Sequence, residues 1–136
     1  MLLQLAKKYK NVVVLSCGFN SHNYCQNFAK FFPERYFSFG FTESNTASVA
    51  AGFALRGKLP IIIADNEFIE RAWSQIKNDI CEPYLNVKIL CCDGMGEGLN
   101  SELLKFLPNL KVQQVAQWDE SLMDEYGPAC YSICDG

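Results

Sequence analysis

Residues 39–63 read FGFTESNTASVAAGFALRGKLPIII, and the fold turns on what flanks Glu43 in this stretch. Before it, Tyr36-Phe37-Ser38-Phe39-Gly40 has the aromatic character of a strand. After it, residues 44–56 are alanine-rich and helix-forming, and Gly57 suits the left-handed position that closes a helix. Residues 59–64 make a second apolar run, with Pro60 near its start, where a strand tolerates proline. A single carboxylate therefore stands at a strand-to-helix joint. In a first helical turn it is favourable against the macrodipole by a few tenths to about 1 kcal/mol, which would account for an isolated glutamate.

Working outward, strand and helix signals alternate along the whole chain. A short helix over 2–9 precedes a buried strand over 11–16, NVVVLS. Residues 22–32 place Tyr24, Cys25, Phe28, Ala29 and Phe32 at helical spacing, and Pro33 stops them. A strand over 35–40 leads into the alanine helix. Residues 68–80 carry Ile69, Ala72, Trp73, Ile76 and Ile80 along one helical face, and a strand over 87–92 follows. The glycine-rich loop 93–98 and the segments 99–106, 112–115, 121–126 and 129–133 complete the alternation. Continuously apolar strands separated by helices predict a three-layer α/β/α architecture around a mainly parallel sheet. Ligands of such sheets bind at the carboxyl ends of strands, so the loops 17–21, 41–44, 65–67 and 93–98 are the candidate site.

Composition narrows the chemistry. The 136 residues carry a net charge of −3, which argues against a nucleic-acid partner. Lys7, Lys8 and Lys10 are the one basic cluster and read as the solvated end of a helix. No apolar run is long enough to span a membrane and no leader pattern opens the chain, so a cytoplasmic location is expected. The seven cysteines form no CxxC pair and His22 is the sole histidine, so no metal site is expected and the thiols read as small buried hydrophobes. GMGEG lacks the GK[ST] ending of a phosphate loop.

RYFSFGFTESNTASVAAGFALRGKLPIII followed by EFIERAWSQIKND resembles the pyrimidine-binding domain of transketolases and deoxyxylulose-phosphate synthases. Gly40, Glu43, Asn45, Ala50, Ala51, Gly52, Gly57, Pro60, Phe68, Arg71, Ala72, Gln75 and Ile76 fall in that family's order without gaps. The resemblance implies a thiamine-diphosphate-binding fold. It implies that Glu43 is catalytic and cofactor-binding, hydrogen-bonding the pyrimidine N1′ so that the 4′-imino form can deprotonate the thiazolium C2. Phe68 would pack on the pyrimidine, and Arg71 would face a phosphorylated substrate.

The chain departs from the family pattern in three places. SCGFNS stands where the family carries an aspartate, Asp65 where it carries an aromatic or small residue, and GMGEGLNSELLKF lacks the DGxTHQ segment with its histidine. The family's GDG…N motif, which holds the diphosphate and Mg²⁺, has no counterpart. Cys92-Asp93-Gly94 and Cys134-Asp135-Gly136 share letters with it but lead into no matching helix and asparagine.

Residues 1–136 are accordingly read as a single pyrimidine-binding-type domain, with the diphosphate-binding and C-terminal domains absent from this chain. The expected function is that of a transketolase-like subunit giving Glu43 to a thiamine-diphosphate site for two-carbon ketol transfer. A partner chain would hold the diphosphate and the metal. The expected assembly is a homodimer or a hetero-oligomer with that chain. Ala47, Ala50, Ala51, Gly52 and Ala54 form a small-residue surface for close packing, on the sheet or on a partner, and Gly52 is expected to admit another backbone. Two other readings stand beside this one: a non-catalytic homologue serving as a binding or assembly module, and a flavodoxin-like domain binding another small ligand at the same strand ends.

Overall fold

The computed structural model describes residues 2–18, 25–65, 67–91, 107–115 and 119–133. Its strands are β1 (Val12–Cys17), β2 (Tyr36–Ser38), β3 (Leu59–Ala64), β4 (Lys88–Cys91), β5 (Lys111–Val115) and β6 (Ala129–Ile133). They form one sheet in the order β2-β1-β3-β4-β6-β5, and every pairing is parallel. The α-helical segments are α1 (Leu2–Lys8), α2 (Gln26–Phe31), α3 (Glu43–Leu55), α4 (Phe68–Arg71) and α5 (Trp73–Gln75).

Both sheet faces are covered, which is why β1, β3 and β4 are buried at every position. Because side chains alternate across a strand, Val13, Leu15 and Cys17 enter one core with Ala47, Ala50 and Ala51 of α3 and with Phe68, Ile69, Ile76 and Ile80. Val12 and Val14 enter the opposite core with Leu2 and Leu5 of α1, Phe28 of α2, and Met123. The result is the expected three-layer α/β/α sandwich, with a sheet that is wholly parallel among the described residues.

Pro60 sits in the central strand β3 without breaking a ladder. Leu59 donates its N–H to Asn11 on the β1 side (2.9 Å), so the nitrogen of Pro60 faces the β4 side. Pairing with β4 begins one residue later, at Ile61↔Lys88. Helix α3 ends as the sequence predicts. Gly57 takes φ +85°, its N–H bonds the Ala54 carbonyl, and Lys58 N–H reaches back to Phe53. This pair of bonds is the Schellman closure.

Four expectations need correction. The helix predicted over 68–80 is three pieces. It breaks at Ala72 (φ −104°, ψ 18°), and after α5 it widens into a π-helix, Ile76–Cys81. The wider turn brings both Ile80 and Cys81 into the core, a solution that a 3.6-residue periodicity does not encode. The strand predicted over 35–40 is shorter because Pro33–Arg35 forms a 3-10 turn. Arg35 donates instead to the carbonyls of Ala6, Tyr9 and Val12, tying the end of α1 to the start of β1. Residues Glu120–Met123 form a 3-10 turn. Finally, a Cβ on Gly52 would meet nothing within 4 Å, so no described backbone of this chain approaches it. Ala47, Ala50 and Ala51 face the sheet, whereas Gly52 and Leu55 face outward. The loop 93–98 and segment 99–106 lie outside the described residues, as do residues 22–24 of the predicted helix 22–32.

No described helix is long and apolar enough to cross a membrane. Lys88, at the start of β4, is a wholly buried cation, and burial lowers its ammonium to about 8. Because the folded state releases this proton earlier than the unfolded state, Lys88 makes stability rise between about pH 8 and 10.5. Burial pushes the Cys17 thiol up to about 11 and Cys81 to about 12, which acts in the opposite sense above pH 9. Comparison with Lys88→Met isolates the lysine. Denaturant unfolding at a series of pH values should show the stability difference, wild type minus variant, climbing by up to about 3 kcal/mol across that interval. A flat difference would mean that Lys88 titrates normally.

Candidate functional site

The strand order creates the site. From β1 the chain passes to β2 on one side and then returns to β3 on the other, so the loops leaving β1 and β3 diverge at their carboxyl ends. Gly18 follows β1 with φ +102°, and its N–H bonds the carbonyl of Gly40, which follows β2 (2.7 Å). Glycine is required at 18 for two reasons. The backbone is left-handed, and a Cβ would lie 2.8 Å from Cγ of Asp65, the residue after β3. Three strand ends are thereby drawn together.

Cys17, Phe41, Glu43, Asp65, Glu67, Phe68 and Arg71 line the cleft above them. Its space is about 30 Å³, room for a water molecule but not for a six-membered ring. Thr42 sets the direction of α3 by donating its hydroxyl to the Phe39 carbonyl (2.8 Å), and Glu43 then occupies the first helical turn with its side chain 14% exposed. Arg71 Nη1 stands 3.2 Å from Glu43 Oε1, and Nη2 stands 2.7 Å from Glu67 Oε2. The break at Ala72 makes Arg71 the last residue of α4, where a cation is favourable.

All three residues singled out from sequence, Glu43, Phe68 and Arg71, therefore meet in one cleft. Phe68 is 1% exposed, anchored in the core beneath it. Cys17, Phe41 and Glu67 were visible in the sequence only as members of loops at strand ends, which is the signal that finds them; Asp65 stood out as well by departing from the family pattern. The Cys17 thiol, pushed up by burial and further by the Glu43 and Asp65 carboxylates, keeps its proton at neutral pH. The cleft thus presents one exposed guanidinium among three carboxylates, over an aromatic floor. Among the described residues no three His, Cys, Asp or Glu side chains are grouped to hold a metal ion. Both CDG segments and His22 lie outside the described residues.

Comparison with known proteins bears on the family and the fold. The family described as the transketolase pyrimidine-binding domain matches residues 1–101. A putative transketolase C-terminal section from Methanocaldococcus jannaschii is 42% identical over 122 residues, covering 82% of this chain and 39% of that protein. The 1-deoxy-D-xylulose-5-phosphate synthase of Desulfotalea psychrophila is 31% identical over 134 residues, covering 91% of this chain and 20% of the enzyme. A solved split-gene transketolase, described as an inactive beta4 tetramer, superposes with a TM-score of 0.81 at 31% identity, over 97% of this chain and 48% of that one. The chain therefore spans less than half the length of these relatives.

The junction at Gly18 is open to a direct test. Gly18→Ala should cost roughly 1–3 kcal/mol, since it combines a left-handed alanine with displacement of Asp65. Equilibrium urea unfolding measures this, and an unchanged midpoint would show that the junction tolerates a side chain.

Proposed function

We propose a function from one premise: this chain belongs to the family of transketolase pyrimidine-binding domains. On that premise the chain supplies the pyrimidine side of a thiamine-diphosphate site for two-carbon ketol transfer. The observation that carries this reading is Glu43, a largely buried carboxylate at a helix start, beside Phe68 at the sheet's switch point.

The described residues fit one end of the cofactor. A carboxylate suits a ring nitrogen, and the aromatic floor suits a planar ring. The diphosphate and metal find no matching donor set among them. A cleft with room for one water amounts to a single wall of a ring-sized pocket. The opposite wall, with the diphosphate and Mg²⁺ ligands, then belongs to a partner chain, and the outward face of α3 is the surface offered to it. The likeness to a split-gene transketolase whose beta4 tetramer is inactive supports such a division of labour.

Thiamine diphosphate, when bound, supplies the electron sink of the reaction. Glu43 would hydrogen-bond the pyrimidine N1′ and hold a proton at that atom. Phe68 would fix the ring plane from below. Arg71 would leave Glu43 when the ring enters, keep its ion pair with Glu67, and turn its exposed guanidinium to an anionic substrate group. Holding both reactants in one cleft requires both chains, because the rate gain comes from fixed proximity.

A second reading rests on Asp65 and Glu67. Two further carboxylates line a cleft that is to receive a pyrimidine, and a non-catalytic homologue acting as an assembly module would tolerate them. Glu43→Gln separates the readings. In the assembled complex it should lower kcat by at least about a hundredfold, since a proton-transfer group of this kind contributes 10² or more. Its melting temperature should stay at the wild-type value, because the Arg71 partner is solvent-exposed. Full activity in this variant would contradict the assignment.

A further inference from the structure

A cavity of about 200 Å³ lies at the other end of the sheet, at the amino ends of β4, β6 and β5. Three left-handed residues converge on it: Tyr84 (φ 59°), Asn109 (φ 66°) and Gly127 (φ 123°). They include both described non-glycine residues at positive φ. A bulky aromatic in this conformation is rare, and such conformations gather where a ligand is clamped. The strain is held in place by packing. The Tyr84 ring lies against Gly127, where a Cβ would come within 2.7 Å of Cζ, and its hydroxyl donates to the Tyr126 carbonyl (3.3 Å).

Charge adds a second, independent argument. Lys88 lines the cavity and is 1% exposed. Its Nζ donates to the carbonyls of Glu125 (2.7 Å) and Gly127 (2.6 Å), which uses two of its three N–H groups. The Glu125 carboxylate is engaged elsewhere, 2.7 Å from Lys111 Nζ. Among the described residues no carboxylate lies within ion-pair distance of Lys88. A buried cation whose hydrogen bonds go to two neutral carbonyls, with the Glu125 carboxylate acting on it only from beyond ion-pair distance, is costly and calls for an anion. The ring pair Tyr84–Tyr126, with centroids 5.9 Å apart and both rings partly exposed, offers an apolar wall beside that charge.

We propose that this cavity is a binding site for a small organic anion, its oxyanion on Lys88 and its planar body against Tyr84 and Tyr126. The volume fits, since a cavity of about 150 Å³ accepts a benzene ring. It is too small for a drug-sized ligand or a nucleotide. Because the sheet separates it from the Glu43 cleft, the proposal stands or falls independently of the ketol-transfer reading.

Benzoate and inorganic phosphate are the probes, titrated into the 136-residue chain and followed by amide ¹H–¹⁵N spectra. Benzoate should produce saturable shifts confined to residues 84–88, 109–111 and 125–131, with millimolar or tighter affinity. Phosphate, lacking a planar body, should bind at least tenfold more weakly. Lys88→Met should abolish the benzoate response. Lys111→Gln, an exposed change that keeps the fold, should weaken it several-fold by leaving Glu125 uncompensated in the cavity. Absence of saturable shifts, shifts centred on the Glu43 cleft, equal affinity for phosphate, or wild-type affinity in Lys111→Gln would each overturn the assignment.

Discussion

Strand β1 is bonded on both edges and buried on both faces, and the rest of the molecule is arranged around that fact. A six-residue strand with no solvent on any side must be apolar or have its polar groups bonded, as the Ser16 hydroxyl is to that of Tyr36 (2.7 Å), and it must have neighbours laid down in two directions. Sending the chain first to β2 and then back across to β3 meets that demand, and it opens a crevice where the two crossings part. The glycine after β1 and the aspartate after β3 are packed against each other at that point. Glu43 arrives there because the connection from β2 is short: Thr42 turns on the Phe39 carbonyl and α3 starts at the next residue.

The two ends of this sheet carry opposite electrostatic problems. At the carboxyl ends, Glu43, Asp65 and Glu67 outnumber the single guanidinium of Arg71. Arg71 bridges two of them from an exposed position, so the pairs are weak and exchangeable. At the amino ends, Lys88 is a deeply buried cation whose described hydrogen bonds go to the carbonyls of Glu125 and Gly127. A protein that keeps such a group retains a cost that a hydrophobic residue would remove. Stability is commonly surrendered in this way at functional positions.

Much of this was readable from the residues. The run from Leu59 to Ala64 is a strand with the expected bounds, because a continuous apolar stretch of that length next to Gly57 has few alternatives. Glu43, Phe68 and Arg71 meet as their sequence pattern implies, since the loops after parallel strands must gather at one end of the sheet. Other features were hidden for physical reasons. The break at Ala72 and the π-turn that follows are choices of the core, which needs both Ile80 and Cys81, and helical periodicity cannot express them. Arg35 looked like a strand residue until three carbonyls claimed its guanidinium. Nothing in the letters around Tyr84 announces positive φ, so the amino-end cavity is legible only in three dimensions.

On the proposed function, this chain holds one wall of a thiamine-diphosphate site and another chain holds the rest. The most direct measurement is calorimetric titration of thiamine diphosphate and Mg²⁺ into three samples: this chain, a separately produced chain carrying the diphosphate-binding domain, and the two mixed. The account predicts tight, metal-dependent binding in the mixture and a marked weakening in either chain alone. Binding by the second chain that is unaffected by adding this one, or no binding in the mixture, would contradict it.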